Sequence, residues 1–297
     1  MVGGGLASDM WGPHLAGSPL PVRIGRFRKS VLAKTAGALL LRYMLGWSMN
    51  LFRVRGIQLA VHFSFFLLLG FTAWNGWTDD RAAGVFWYTL VLLTCFACVI
   101  LHELGHSLTA IHFGIGVRRI LLLPIGGMAE FDSIPREPRR EILITLAGPA
   151  VNFVLAGLLW IALPPAPAQE SAHLNPLEFG HLLLFWNLLM GGFNLLPAFP
   201  MDGGRILRAL LALRCSYLKA TFWAATVGKG VALLGFGAAF YFEQPMLGLL
   251  FGFIVLVGEL EYRAVKRRAG EEAQLRALCG DVMGFPPVSD EPPVLRG

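Results

Sequence analysis

Charge is what this chain has least of. Only 15% of its 297 residues are Asp, Glu, Lys or Arg, against about 25% in an ordinary soluble domain. With 55% hydrophobic residues and a mean hydropathy of +0.60, too few polar groups exist to coat a water-soluble surface. Cysteine is also scarce. Cys95, Cys98, Cys215 and Cys279 avoid every segment read below as external, which excludes a disulfide framework. The net charge of +6 is scattered over short loops and both ends. A nucleic-acid surface would gather its cations on one face, so no nucleic-acid partner is expected.

What is abundant is apolar sequence in runs near the ~20 residues that cross a bilayer. The fold class expected is an all-α polytopic membrane protein, with the lipid bilayer as its surroundings. Six transmembrane helices are placed at 58–77, 84–113, 141–163, 179–197, 229–242 and 244–259; the fifth has an alternative start near Thr221. Residues 1–55 carry Arg23, Arg26, Arg28, Lys29 and Lys34 and lack a small-residue cleavage site. They read as a cytosolic or membrane-surface extension rather than a secretory signal, with Met44 and Met49 as alternative starts. The core is 56–262, and 263–297 is a cytosolic tail.

Loop charge sets the orientation. Arg53 and Arg55 precede the first span, and Arg118, Arg119, Arg136, Arg139 and Arg140 separate the second from the third. Arg214 and Lys219 follow the fourth, and Arg263, Lys266, Arg267 and Arg268 follow the sixth. The opposite loops hold Arg81 alone, with no lysine or arginine from 164 to 177. The excess of cations on one side puts both termini in the cytosol. Lys229 is placed at a cytosolic helix end, where it can snorkel.

The second span carries His102-Glu103-Leu104-Gly105-His106. Residues i and i+4 of a helix lie about 40° apart and ~6 Å along the axis, so both imidazoles can face one ion. The glutamate between them can reach a water on that ion, which is the logic of HExxH zinc hydrolysis. Ionisable groups inside an apolar span face an interior and carry function. Cys95 and Cys98 share this helix face and read as small packing residues lining it.

A catalytic zinc takes three protein ligands and leaves one position open. His112 has the spacing of a metzincin third ligand, but Thr109 replaces the glycine that breaks that helix. On an unbroken helix His112 points about 240° away from His106, and it is rejected. The better candidate is Asp202, the only acid in the proline- and glycine-broken stretch Asn194-Leu-Leu-Pro197-Ala-Phe-Pro200-Met-Asp202-Gly203-Gly204. Irregular backbone at membrane depth is tolerated where it lines a cavity. Asp202 can also cap the helix that follows. His102 lies 18 residues into its span, ~27 Å into a core ~30 Å thick, and Asp202 is near the cytosolic end of its own. One Zn2+ just inside the cytosolic face is the site expected.

These paired motifs, with Gly126-Gly127-Met-Ala and Gly148-Pro149-Ala-Val-Asn152, resemble the site-2 protease family of intramembrane zinc metalloproteases over residues 56–262. The resemblance implies an endopeptidase that cleaves single-span membrane proteins within or near their transmembrane segments. It implies Glu103 as catalytic base, and Asn194, Asn152, Gly126 and Gly127 as substrate-binding positions. It also implies a small β-sheet or re-entrant hairpin at 117–131, whose composition suits strands around a turn. Such an edge could hold an unwound substrate by β-addition. No insertion is long enough for a PDZ domain, which points to the branch without one. The tail from Leu278 to Pro287 resembles the first line of a cystathionine-β-synthase-type domain and is read as a remnant.

A catalytically silent zinc-binding membrane scaffold is the alternative, which the presence of Glu103 disfavours. A zinc transporter would want ligands along several spans, and other membrane HExxH proteases use a downstream glutamate. Composition rich in Ala, Gly, Leu and Arg suits a bacterial plasma membrane.

Overall fold

The structure, a computed structural model, describes residues 47–124, 126–132, 137–165 and 175–283. The basic stretch before residue 47, the side chain of Cys279 and the tail beyond Met283 lie outside the described residues, as do the readings made of them. Ten elements follow in order: β1 Ser48–Val54, β2 Ile57–His62, α1 Phe63–His112, β3 Val117–Leu123, β4 Gly126–Phe131, α2 Pro138–Ala162, α3 Pro176–Asn194, α4 Asp202–Ala212, α5 Tyr217–Tyr241 and α6 Pro245–Met283.

Helix α1 is two helices joined at a sharp turn. Asp80 and Arg81 leave helical geometry, with φ/ψ of −135/40° and 50/−130°. The arms fold back on each other: Phe65 and Phe96 stack edge-on at 4.7 Å. Near the turn, a Cβ on Gly76 would stand 2.5 Å from the Gly84 carbonyl oxygen. Those two glycines let the backbones touch where the hairpin is narrowest. Counting α1 as two arms gives six long helices among the described residues, in line with the six expected. Four helices are long and apolar enough to cross a membrane by length and composition among the described residues: α1, α2, α5 and residues 245–274 of α6.

Two sequence expectations are corrected at the ends of this array. The first span does not begin at Gln58, because Ile57–His62 is strand β2. Its Leu59, Ala60 and Val61 are buried against neighbouring strands. A short, mostly apolar strand that runs straight into an apolar helix is not separated from it by a hydropathy count. Residues 48–54, expected within the basic extension, form β1 beside it.

The four strands lie in the order β1-β2-β3-β4. β2 runs parallel to β3, with Leu59 opposite Ile120, and β3 runs antiparallel to β4, with Leu122 opposite Gly127. The small sheet expected at 117–131 is therefore present, and larger. It is held to the helices by two apolar clusters. Ile57, Leu59, Val117 and Ile120 pack with Ala110 of α1 and Ile144 of α2. Val61 and Leu122 pack with Phe65, against Phe96 and Val99. Both clusters flank the segment of α1 that carries the histidines.

Lys229 is not at a helix end. It sits midway along the 25-residue α5 and pairs with Glu259 of α6. An intramembrane cation faces a partner when it cannot reach water. Glu259 has a second partner, Arg263, at 2.6 Å, so the two acceptor oxygens are shared between two cations. Removing the acid strands Lys229, whereas removing Lys229 leaves Glu259 with Arg263. Glu259→Gln should therefore lower the melting temperature in detergent more than Lys229→Met; the reverse order would contradict this arrangement.

Candidate metal centre

His102 and His106 project from one face of α1, where the i, i+4 spacing sets them edge to face with ring centroids 4.7 Å apart. Their Nε2 atoms lie 3.1 Å from each other. Asp202 closes the triangle: its Oδ2 is 3.2 Å from each Nε2. All three residues are buried, and they form a group of suitable metal ligands among the described residues. Asp202 is the first residue of α4, with Met201 as the N-cap, so its carboxylate serves the histidines and not a cap. His112 ends α1 exposed, with its ring against Phe113.

The far sides of both imidazoles are held by the protein. His106 Nδ1 faces the Ile144 carbonyl oxygen at 2.8 Å. A carbonyl only accepts, so Nδ1 carries the proton and donates. His102 Nδ1 faces Asn152 Oδ1 at 2.6 Å. Asn152 Nδ2 in turn donates to Asn187 Oδ1 at 3.0 Å, and Asn187 Nδ2 donates to the Leu183 carbonyl at 2.9 Å. That last carbonyl orients the whole relay, because each amide must then turn its oxygen toward the preceding donor. His102 Nδ1 therefore donates as well.

The consequence is chemical. Both Nε2 atoms present lone pairs toward a carboxylate oxygen that is buried and has no hydrogen-bond donor. Three acceptors at this separation repel unless a cation lies among them. Ligands about 2.0–2.1 Å from a tetrahedral zinc lie about 3.4 Å apart, close to the 3.1–3.2 Å found here. The donor set, two imidazoles and one carboxylate, suits zinc, and the residues fit the ion.

Glycines make the room. A Cβ on Gly148 of α2 would stand 2.2 Å from His106 Nε2 and 2.8 Å from His102 Nε2. Side chains at Gly203 or Gly204 would strike the carbonyl at Leu195 or the backbone at Ala198, so the glycine pair lets α4 start against the broken segment. Glu103 lies beside β4: a Cβ on Gly127 would be 2.6 Å from its Cγ. Gly126 adopts φ of +138°, which favours glycine, and starts β4.

Not every expected site residue faces a substrate. Asn152, expected to contact substrate, is 0% exposed and spends its amide on His102 and Asn187. It orients a ligand, as partners behind a metal-binding histidine commonly do. Asn194 ends α3, half-buried, with Nδ2 donating to the Met190 carbonyl at 2.9 Å. Asn187 escaped notice in the sequence, although a lone amide in an apolar helix was a visible signal. Cys98 does line this interior, accepting from Asn187 at 3.4 Å.

The model for peptidase family M50 matches residues 89–169 and 164–235. A zinc metalloprotease of Methanocaldococcus jannaschii is 39% identical over 226 residues, covering 75% of this chain and 62% of that protein. Stage IV sporulation protein FB of Bacillus subtilis is 34% identical over 131 residues, 43% of each. The solved site-2 protease from Methanocaldococcus jannaschii superposes with a TM-score of 0.52 at 36% identity, over 73% of this chain and 95% of that one. Fold and site together define a membrane-embedded metallopeptidase scaffold. The chain belongs to peptidase family M50, the site-2 proteases. It spans about three-fifths of the length of the first of these curated relatives and under half of the second.

Because position 148 sits against both ligand nitrogens, Gly148→Ala should weaken zinc binding by about 10–100-fold, measured by chelator competition on purified protein. Wild-type affinity in that variant would contradict the placement of the ion.

Proposed function

We propose that the chain is a zinc-dependent intramembrane endopeptidase acting on single-span membrane proteins. The observation that carries this is Glu103, the chain neighbour of His102 in the buried His102–His106–Asp202 site, whose side chain lies against strand β4 at Gly127. A bound zinc supplies Lewis acidity, polarising the scissile carbonyl and acidifying a water. Glu103 takes that water's proton as the hydroxyl adds to the carbonyl carbon, and returns it to the departing amide nitrogen. His102, His106 and Asp202 hold the ion, and the relay through Asn152 and Asn187 holds His102 in its donating tautomer. A metal kept only for structure needs no base, which disfavours the silent scaffold.

A transmembrane helix hides its peptide bonds in its own hydrogen bonds, so cleavage requires unwinding. Among the described residues strand β4 is an edge of the sheet, and it passes beside Glu103 at Gly127. An extended segment added to that edge would pair with backbone groups and pass the proposed base. Gly126 and Gly127 keep this edge clear of side chains. Asn194, at the mouth of the broken segment, is retained as a proposed substrate contact. The cation excess on one set of loops favours both ends of the chain in the cytosol, and the composition rich in Ala, Gly, Leu and Arg suits a bacterial plasma membrane.

Co-expression with single-span candidates tests the reading. Glu103→Gln should keep zinc and lose cleavage by a factor of about 10²–10⁴, while Asp202→Ala should lose both. Cleavage surviving Glu103→Gln would sink the mechanism. Gly127→Ala, which displaces Glu103 without touching the ligands, should retain zinc and lower kcat by about 10²-fold.

A further inference from the structure

The metal triangle is completed by a short helix that needs holding. α4 has 11 residues and follows an irregular segment, yet its first residue must sit 3.2 Å from both histidines. One point of contact fixes a position but not a direction. A second point exists. Arg208 of α4 donates from Nη2 to Glu141 Oε1 of α2 at 2.5 Å. From Nη1 it donates to Glu261 Oε1 of α6 at 2.9 Å. Arg208 is 3% exposed and Glu141 1%. The guanidinium also lies 5.3 Å from the Phe199 ring, in the broken segment, and 5.0 Å from the Tyr217 ring, at the start of α5. One side chain thus ties four parts of the chain.

The spacing matches the metal centre. Arg208 is six residues past Asp202 along α4, about 9 Å. Glu141 is seven residues before Gly148 along α2, about 10.5 Å, and Gly148 is the residue that abuts the ligand nitrogens. α2 and α4 pack together, and the two pairs of points coincide only if the helices run antiparallel in this one register. The same α2 supplies Ile144 to His106 and Asn152 to His102. We infer that the Glu141–Arg208–Glu261 bridge is a positioning device that sets α4 against α2 so that Asp202 meets the two histidines. Neither Glu141 nor Arg208 touches the metal centre; they act through the helices that do. Arginine is required because one planar guanidinium reaches two carboxylates, which a lysine ammonium cannot reproduce.

The inference rests on the zinc reading of the site, and the test keeps the two separable. Full-length protein in detergent is stripped with chelator and titrated with zinc against a chromogenic competitor, and the metal-free protein is melted in parallel. Glu141→Gln and Arg208→Lys should each weaken zinc by about 10–100-fold in protein that still melts cooperatively. Tyr88→Phe, which removes a hydrogen bond to Asp79 at the distant α1 turn, should bind zinc like wild type. A bridge that merely stabilises the fold lowers the melting temperature and leaves the affinity of folded protein unchanged. Zinc affinity within twofold of wild type in both variants overturns the proposal. If Glu141→Gln does not fold, Arg208→Lys, which keeps the charge, decides by itself. A wild type that takes up no zinc overturns the metal reading instead.

Discussion

Three buried acceptor atoms within 3.2 Å of one another, with no donor between them, form the constraint around which this protein is organised. Such an arrangement costs free energy as three unpaired lone pairs in a low-dielectric interior and becomes favourable only around a cation. The surroundings are built to keep it so. Ile144 and Asn152 fix both imidazoles from behind, Gly148 withholds a side chain that would fill the gap, and α4 delivers the carboxylate. α2 does most of this without providing a ligand. Its inner face places Glu141, Ile144, Thr145, Gly148, Asn152 and Ala156 out of solvent.

The sheet adds a second theme. Helices alone can enclose a metal in a membrane, but they offer an entering peptide no unpaired backbone. Here a four-stranded sheet is clamped to the metal-bearing arm of α1 by Val61, Leu122, Ile57 and Ile120. Its outer strand passes the proposed base. Gly127 lets that strand come close, and Gly126 lets the chain turn into it. The proposed activity needs both layers: one to hold the ion, one to hold an unwound segment extended.

Much of this was legible in the residues. The i, i+4 histidines, the intervening glutamate and the proline-broken acid were readable because each violates the composition around it. The long helices were readable because bilayer crossing demands length. The rest depended on tertiary context. β2 was hidden inside an apolar run that no periodicity separates from the following helix. Lys229 looked like a helix-end residue because its partner, Glu259, lies 30 residues away on another helix. Asn152 looked like a substrate contact because a motif records that a residue is needed, not which way it faces. Arg208 and Glu141 belong to no recognised motif, and only the packing of α4 on α2 brings them together.

The whole arrangement turns on a zinc held by two imidazoles and one carboxylate inside the membrane domain. Zinc-edge X-ray absorption on purified protein tests it most directly. The spectrum should show one zinc per chain with only nitrogen and oxygen neighbours at about 2.0–2.1 Å, and multiple scattering from two imidazoles. A sulfur shell near 2.3 Å, which would bring in Cys95 or Cys98, or a signal requiring a single histidine, would contradict it.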